Sequence, residues 1–353
     1  MAFTLDNLRP DAFSNFDTVI DVRSPAEFAE DHVPGAINLP VMSNEERAKI
    51  GTIYVQESPF KARKLGAAIV ARNAATHIET KLSEKDGGWQ PLVYCWRGGQ
   101  RSGSFASILS QIGWRAELLD GGYRSYRGQV VKALYEDPLP HRLTLLDGNT
   151  GSAKTAILHE LQRQGVQVLD LEGLAQHRGS LLGAMKDEQP SQKMFETRLA
   201  LALSKLDPNR PIVAEAESSK IGERLIPASV WKTMRAGARI DIAATLPARA
   251  RFLTQDYADV LEIPEHMAER LDKLRPYCSH ARVDQWLVYL QAGQHETLAS
   301  ELMEHHYDRS YERARKGRES EVLGTLKADA LQPSDIERLA RGVNDLLNQA
   351  QTT

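Results

Sequence analysis

At roughly 150 residues per domain, 353 residues suggest about two domains. Hydrophobic residues make up 42% and charged residues 26%, which excludes a disordered or fibrous chain. Lys+Arg number 44 against Asp+Glu 47, and no overall basic field points to a nucleic-acid partner, so any nucleic acid must be held by local patches. The two cysteines, Cys95 and Cys278, are too few for a disulfide framework. The opening Met1-Ala2-Phe3-Thr4-Leu5-Asp6 has neither the basic start nor the apolar core of an export signal, and no apolar run approaches about 18 residues. A cytoplasmic protein without a membrane span is expected, and a monomer.

In chain order, the β-branched run at 18–22 reads as a buried strand. Ser24-Pro25-Ala26-Glu27 then carries an N-cap, a proline at the first helical position and a capping box. Pro34-Gly35 stops that helix. Residues 36–39 form a second strand, 61–72 a helix, and 91–94 a third strand ending at Cys95. A linker with two prolines, Asp137-Pro138-Leu139-Pro140, separates domains at 1–137 and 138–353. Beyond it, strands are expected at 143–146, 166–170, 211–215 and 240–244, with a loop at 148–155 and a helix running on to Gln164. From Pro247 onward the pattern is mostly helical. Alternating strands and helices predict α/β domains with parallel sheets.

Cys95-Trp96-Arg97-Gly98-Gly99-Gln100-Arg101-Ser102 lies between a strand and a helix. Backbone N–H groups at such a turn, with the helix dipole, stabilise a thiolate and bind anions. Arg97 and Arg101 add positive charge, and the two glycines let the backbone curl round a ligand. With Asp21-Val22-Arg23-Ser24-Pro25-Ala26-Glu27-Phe28 and His32-Val33-Pro34-Gly35-Ala36-Ile37-Asn38-Leu39-Pro40, this loop resembles the rhodanese homology domain over residues 5–135. One feature departs from ordinary single-domain sulfurtransferases. Cys95 to Arg101 spans seven residues, C-x5-R, a length that resembles rhodanese-fold phosphatases and admits a tetrahedral phosphate.

Gly148-Asn149-Thr150-Gly151-Ser152-Ala153-Lys154-Thr155 is a Walker A pattern in which Ala153 replaces the glycine before the lysine. Backbone N–H groups around Gly148, Gly151 and Ser152 are expected to cradle a diphosphate, Lys154 to neutralise it and Thr155 to hold magnesium. Alanine at 153 costs only a methyl group if φ is negative there, and reshapes the cradle if φ must be positive. Glu215 and Glu217 stand where a second acidic motif belongs. Asp170, Glu172, His177 and Arg178 follow the preceding strand, as metal or substrate contacts or as helix caps. Arg249 and Arg251 are either phosphate clamps or solvated helix charges.

The pairing of these two loops with residues 170–180 and 215–218 closely resembles the tRNA 2-selenouridine synthase family, from about residue 5 to Asp308. That resemblance implies conversion of wobble 2-thiouridine in tRNAs for lysine, glutamate and glutamine to 2-selenouridine through S-geranyl-2-thiouridine. The co-substrates are geranyl diphosphate and selenophosphate, and an enzyme supplying selenophosphate is an expected partner. Cys95 would carry selenium as a selanylcysteine, and the P-loop would hold the donor's diphosphate, although the sequence also admits ATP. For tRNA phosphates the candidates are Arg309 with Arg313, Arg315, Lys316 and Arg318, then Arg270 with Lys273 and Arg275, then Lys61 with Arg63 and Lys64; Tyr307 and Tyr311 would stack on a splayed base. Two readings stay open beside this one. The first is a rhodanese-type sulfurtransferase or C-x5-R phosphatase with a regulatory P-loop. The second is a non-catalytic nucleotide-responsive module.

Overall fold

The computed structural model describes residues 2–352 except 10, 181, 182, 184, 186, 262, 263, 310 and 312–319. It divides into two compact units: Met1–Asp137 with Pro190–Lys205, and Pro138–Gln189 with Leu206–Thr353.

In the first unit the chain runs β1 (Ala2–Phe3), β2 (Thr18–Asp21), α1 (Pro25–Glu30), β3 (Ile37–Asn38), α2 (Asn44–Gln56), α3 (Pro59–Lys81), β4 (Pro91–Tyr94), α4 (Gln100–Ile112), β5 (Glu117–Leu119) and α5 (Gly122–Val131). The five strands form one sheet in the order β1-β5-β4-β2-β3, all parallel. Ile20, Val22, Val93, Phe105 and Leu109 fill its core, where Trp89 and Trp114 pack edge to face. The capping box predicted at Ser24 and Glu27 is present at the start of α1. The helix expected at 61–72 is longer, because Ser58 accepts from the Lys61 N–H and Pro59 opens the first turn.

The second half of the chain runs β6 (Leu143–Gly148), α6 (Lys154–Arg163), β7 (Gln167–Leu169), α7 (Leu171–Ala175), α8 (Gln192–Ser204), β8 (Ile212–Glu215), a short hairpin of β9 (Lys220–Ile221) and β10 (Arg224–Leu225), and α9 (Ala228–Ala236). It continues through β11 (Arg239–Ala244), α10 (Leu246–Asp256), α11 (Ala258–Leu261), α12 (Pro264–Asp272), α13 (His280–Gln291), α14 (His295–Leu302), β12 (Val322–Ala328) and α15 (Pro333–Thr352). Its parallel sheet has the order β12-β11-β6-β8-β7. Leu146, Val213, Ile240 and Ile242 on that sheet pack against Ile157 and Leu161 of α6 and Leu339 and Val343 of α15. A separate cluster around fully buried Trp286 joins α12, α13 and α14.

One expectation needs correction. Residues 190–205, expected in the second domain, belong to the first unit, because Thr197, Glu196 and Phe195 of α8 are buried there. The stretch after Pro247 is mostly helical, as expected, and β12 adds one edge strand beside β11. Gly324 permits that arrangement: a Cβ there would stand 2.8 Å from a methyl group of Leu346 on α15.

Candidate active site

Cys95 follows the last residue of β4 and is 4% exposed. Gly98 takes φ +66°, which turns the loop toward the N-terminus of α4. The start of α5 lies directly against it. A Cβ on Gly122 would fall 2.3 Å from the Cys95 carbonyl oxygen, so only glycine fits. The Tyr123 N–H donates to that carbonyl at 2.8 Å and the Arg124 N–H to the Trp96 carbonyl at 3.0 Å.

The Ser102 hydroxyl lies 3.2 Å from Cys95 Sγ. Burial works against ionisation of this thiol, yet the Ser102 hydroxyl and N–H, the Arg101 charge and the Arg97 N–H together hold it below the ordinary thiol value. Cys278 differs: burial pushes its thiol up. Arg101 donates twice to Glu27, at 2.7 and 3.3 Å, so the capping residue of α1 also holds a loop cation. Arg97 is exposed and makes no ion pair among the described residues. Of the two predicted loop arginines, one is braced and the other is presented outward.

The phosphate loop joins β6 to α6. Gly151 has φ +80°, and a Cβ there would stand 2.8 Å from the Arg249 carbonyl oxygen. Ala153 has φ +59°, the left-handed conformation that glycine usually supplies, so the loop keeps its shape at a cost of roughly 1–2 kcal/mol. Lys154 Nζ donates to the Gly148 carbonyl at 2.9 Å, with the Tyr311 ring 5.7 Å away. Ser152 Oγ is buried and has no partner among the described residues. Burial opposes the charge of Lys154, but Tyr311, Glu172, Glu217 and Asp147 hold its pKa above the ordinary value.

Thr155 Oγ1 donates to Glu172 at 2.9 Å. Glu172 is pushed up to about 8 by burial and by Glu217, with which it shares a hydrogen bond. Gly179 packs on both carboxylates; its Cβ would meet each at 2.7 Å. Glu215 is fully buried, accepts from the Leu171 N–H at 3.0 Å, and keeps Oε1 without a partner among the described residues; burial drives its carboxyl well up. Arg178 lines the same pocket, near Asp256 and over the Tyr257 ring.

Other candidates take structural positions. Asp170 caps α7 through the Gly173 N–H at 2.7 Å and faces His159. His177 is buried, and burial with Arg270 nearby keeps its pKa below the ordinary imidazole value. Arg249 is 4% exposed and makes a two-pronged pair with Asp308, so the phosphate-clamp reading gives way to a brace; Arg251 is exposed. Tyr307 is buried in the helical cluster and not placed to stack on a base, whereas Tyr311 lines the phosphate pocket. Arg275 is paired with Asp272 and Asp284, and Lys61 with Glu57. Arg309 is exposed; Arg313, Arg315, Lys316 and Arg318 lie outside the described residues. Among the described residues no group of three or more His, Cys, Asp or Glu is arranged to hold a metal ion, and no helix is long and apolar enough to cross a membrane.

Sequence reasoning missed Glu27 as the partner of Arg101, and Tyr123 beneath the Cys95 loop. The three-residue spacing of a capping box masked the first, and nothing local signals the second.

A strand-end cysteine loop and a phosphate loop, each opening a helix on its own parallel sheet, define a chain with a rhodanese-like domain joined to a P-loop domain. Family models match in that order: the rhodanese-like domain over residues 6–129 and the tRNA 2-selenouridine synthase AAA domain over residues 141–273. A tRNA 2-selenouridine synthase of Bdellovibrio bacteriovorus is 34% identical over 85% of this chain and 83% of its own length. Those of Nitrosomonas europaea (35% identical; 73% of this chain, 67% of that one) and Nitrosomonas eutropha (37%; 68% and 62%) are also similar. The chain belongs to the tRNA 2-selenouridine synthase family.

Proposed function

We propose that this enzyme replaces sulfur by selenium at C2 of wobble 2-thiouridine in tRNAs for lysine, glutamate and glutamine, in two steps at two sites. In the first, the 2-thio sulfur attacks C1 of geranyl diphosphate; the C1–O bond breaks and pyrophosphate leaves. Alkylation turns a poor leaving group into a thiol. In the second, the Cys95 thiolate attacks the selenium of selenophosphate; the Se–P bond breaks with its electron pair on phosphorus, phosphite leaves, and Cys95 holds selenium as a selanylcysteine. Its terminal selenium attacks C2 and geranylthiol departs. A low-molecular-weight thiol then cleaves the S–Se bond, leaving selenium on the base and a mixed disulfide on Cys95.

One observation carries the choice of donor. The phosphate-loop pocket adjoins an apolar pocket, and the two share Thr150, Ser180, Leu253 and Tyr257. Leu261, Met267, Leu298 and Leu302 line the apolar one. A diphosphate head in the cradle with an alkyl tail among those side chains suits this pairing better than a polar nucleoside does. The pocket is narrow, about 40 Å³, so a ten-carbon chain enters by widening it, which the flexible Met267 favours. Thr155 with Glu172 or Glu217 supplies oxygen ligands suited to magnesium, whose chemistry is to neutralise the departing pyrophosphate. The seven-residue loop and outward Arg97 suit the tetrahedral selenophosphate anion.

The test is mass spectrometry of nucleosides from 2-thiouridine tRNA incubated with the protein. Geranyl diphosphate alone is expected to give S-geranyl-2-thiouridine, and added selenophosphate with a thiol to give 2-selenouridine. Absence of both products from active preparations sinks the proposal.

A further inference from the structure

We infer that Asp31, Thr197 and Tyr123 are positioning residues that set the reactivity of Cys95, with α8 supplying one of them from a part of the sequence distant from the loop. A loop that activates a thiol by backbone N–H groups works only while those groups stay aimed at the sulfur. The Cys95 loop is held from below by the first turn of α5: the Tyr123 and Arg124 N–H groups bind its carbonyls, and Gly122 touches its backbone. The Tyr123 ring lies 5.2 Å from Trp96 and 3.9 Å from the buried Arg23 guanidinium. Whatever fixes Tyr123 therefore fixes the loop.

Asp31 fixes it. Its carboxylate is 1% exposed, and its Oδ2 accepts from the Tyr123 hydroxyl at 2.6 Å and from the Thr197 hydroxyl at 3.1 Å, with Arg127 3.8 Å away. Arg127 in turn pairs with Glu196 of α8, which also accepts from the Tyr135 hydroxyl at 2.8 Å. A carboxylate buried this deeply persists only when donors converge on it. Phe195 and Leu199 of α8 are also fully buried. The polar cluster ends on the tyrosine whose N–H holds the Cys95 carbonyl. The charged and titratable groups involved are Arg97, Arg101 and its partner Glu27 around Cys95, and Arg23, Tyr123, Tyr126 and Arg127 with its partner Glu196 around Asp31.

This inference rests on Cys95 as the reacting group of the proposed function, but thiol labelling reads it without tRNA, so failure of the modification reaction would leave the labelling result standing. In the full-length protein, Thr197→Val and Tyr123→Phe each remove one donor to Asp31 with little change of shape. Alkylation of Cys95 by iodoacetamide is followed by peptide mass spectrometry from pH 5 to 9, with Cys278 as internal control and a thermal melt for each variant. The midpoint for Cys95 should rise by about half a pH unit or more in both variants as hydrogen bonds to the thiolate weaken. Thr197→Ser should keep the wild-type midpoint, and Cys278 should not move. A wild-type midpoint in both near-isosteric variants overturns the inference. So does a parallel shift of Cys278, or loss of cooperative melting in both, which would make the cluster a folding element only.

Discussion

The Cys95 loop and the phosphate loop use one backbone device, a strand ending in a glycine-containing turn that aims N–H groups from the start of a helix. Their side chains diverge. Around Cys95 the nearby charges are positive, a nucleophilic sulfur occupies the centre, and Arg101 is braced by Glu27. Around Lys154 the acids Glu172, Glu217 and Asp147 gather, and Glu215 lies beside the first two. On the proposed reading, the first arrangement forms a covalent bond to its cargo. On the same reading, the second holds an anion, and its own acids then call for protons or a metal cation. The same scaffold thus yields a carrier or a cradle according to the sign of what surrounds it.

The sharpest way to break this comparison is to remove the nucleophile. Cys95→Ser should lower selenium transfer by on the order of 10³-fold or more while alkylation continues, so S-geranyl-2-thiouridine accumulates in tRNA analysed by mass spectrometry. Loss of both products would show that the loops do not divide the labour. Next is the cation of the cradle. Lys154→Ala should slow alkylation on the order of 10²-fold, as for an electrostatic contact to a leaving group. Selenation of tRNA already bearing the S-geranyl group should survive, and single-turnover assays of the two steps separate these outcomes.

A smaller effect comes from the acids. Glu172, pushed up to about 8, is protonated at neutral pH and ionises as the pH rises through that value. Metal-free pyrophosphate should then bind up to about tenfold more weakly per pH unit, one proton being linked to binding. Titration calorimetry of Glu172→Gln beside the wild type cancels the ligand's own ionisation; identical pH profiles would remove Glu172 from the cradle. The smallest expected change is at Ala153. Glycine there relieves the left-handed strain but adds unfolded-state freedom, so stability should move by within about 1 kcal/mol. A larger loss in a denaturant melt would mean that the Ala153 methyl, buried in the core, does more than fill space.

Much of this was legible in the sequence because it is local. The strand-loop-helix order around Cys95 and Lys154, the capping box at Ser24 and the parallel α/β pattern all follow from residues a few positions apart. What stayed hidden is long-range. Arg249 reads as a phosphate clamp until Asp308 is found opposite it, and Tyr307 reads as a stacking surface until the helical cluster buries it. Nothing near Thr197 announces that it meets Asp31. β12 was obscured by Gly324, a residue that weakens strand propensity yet is demanded by the close approach of α15.

Because α8 completes the first unit, that unit cannot finish folding when Asp137 leaves the ribosome. Synthesis proceeds at roughly 5–20 residues per second, and domains ordinarily fold as they emerge. Here β6, the phosphate loop and β7 must all appear before Thr197 reaches Asp31. The nascent cysteine loop therefore spends seconds without its final clasp, and the thiol matures only after the phosphate loop has been made.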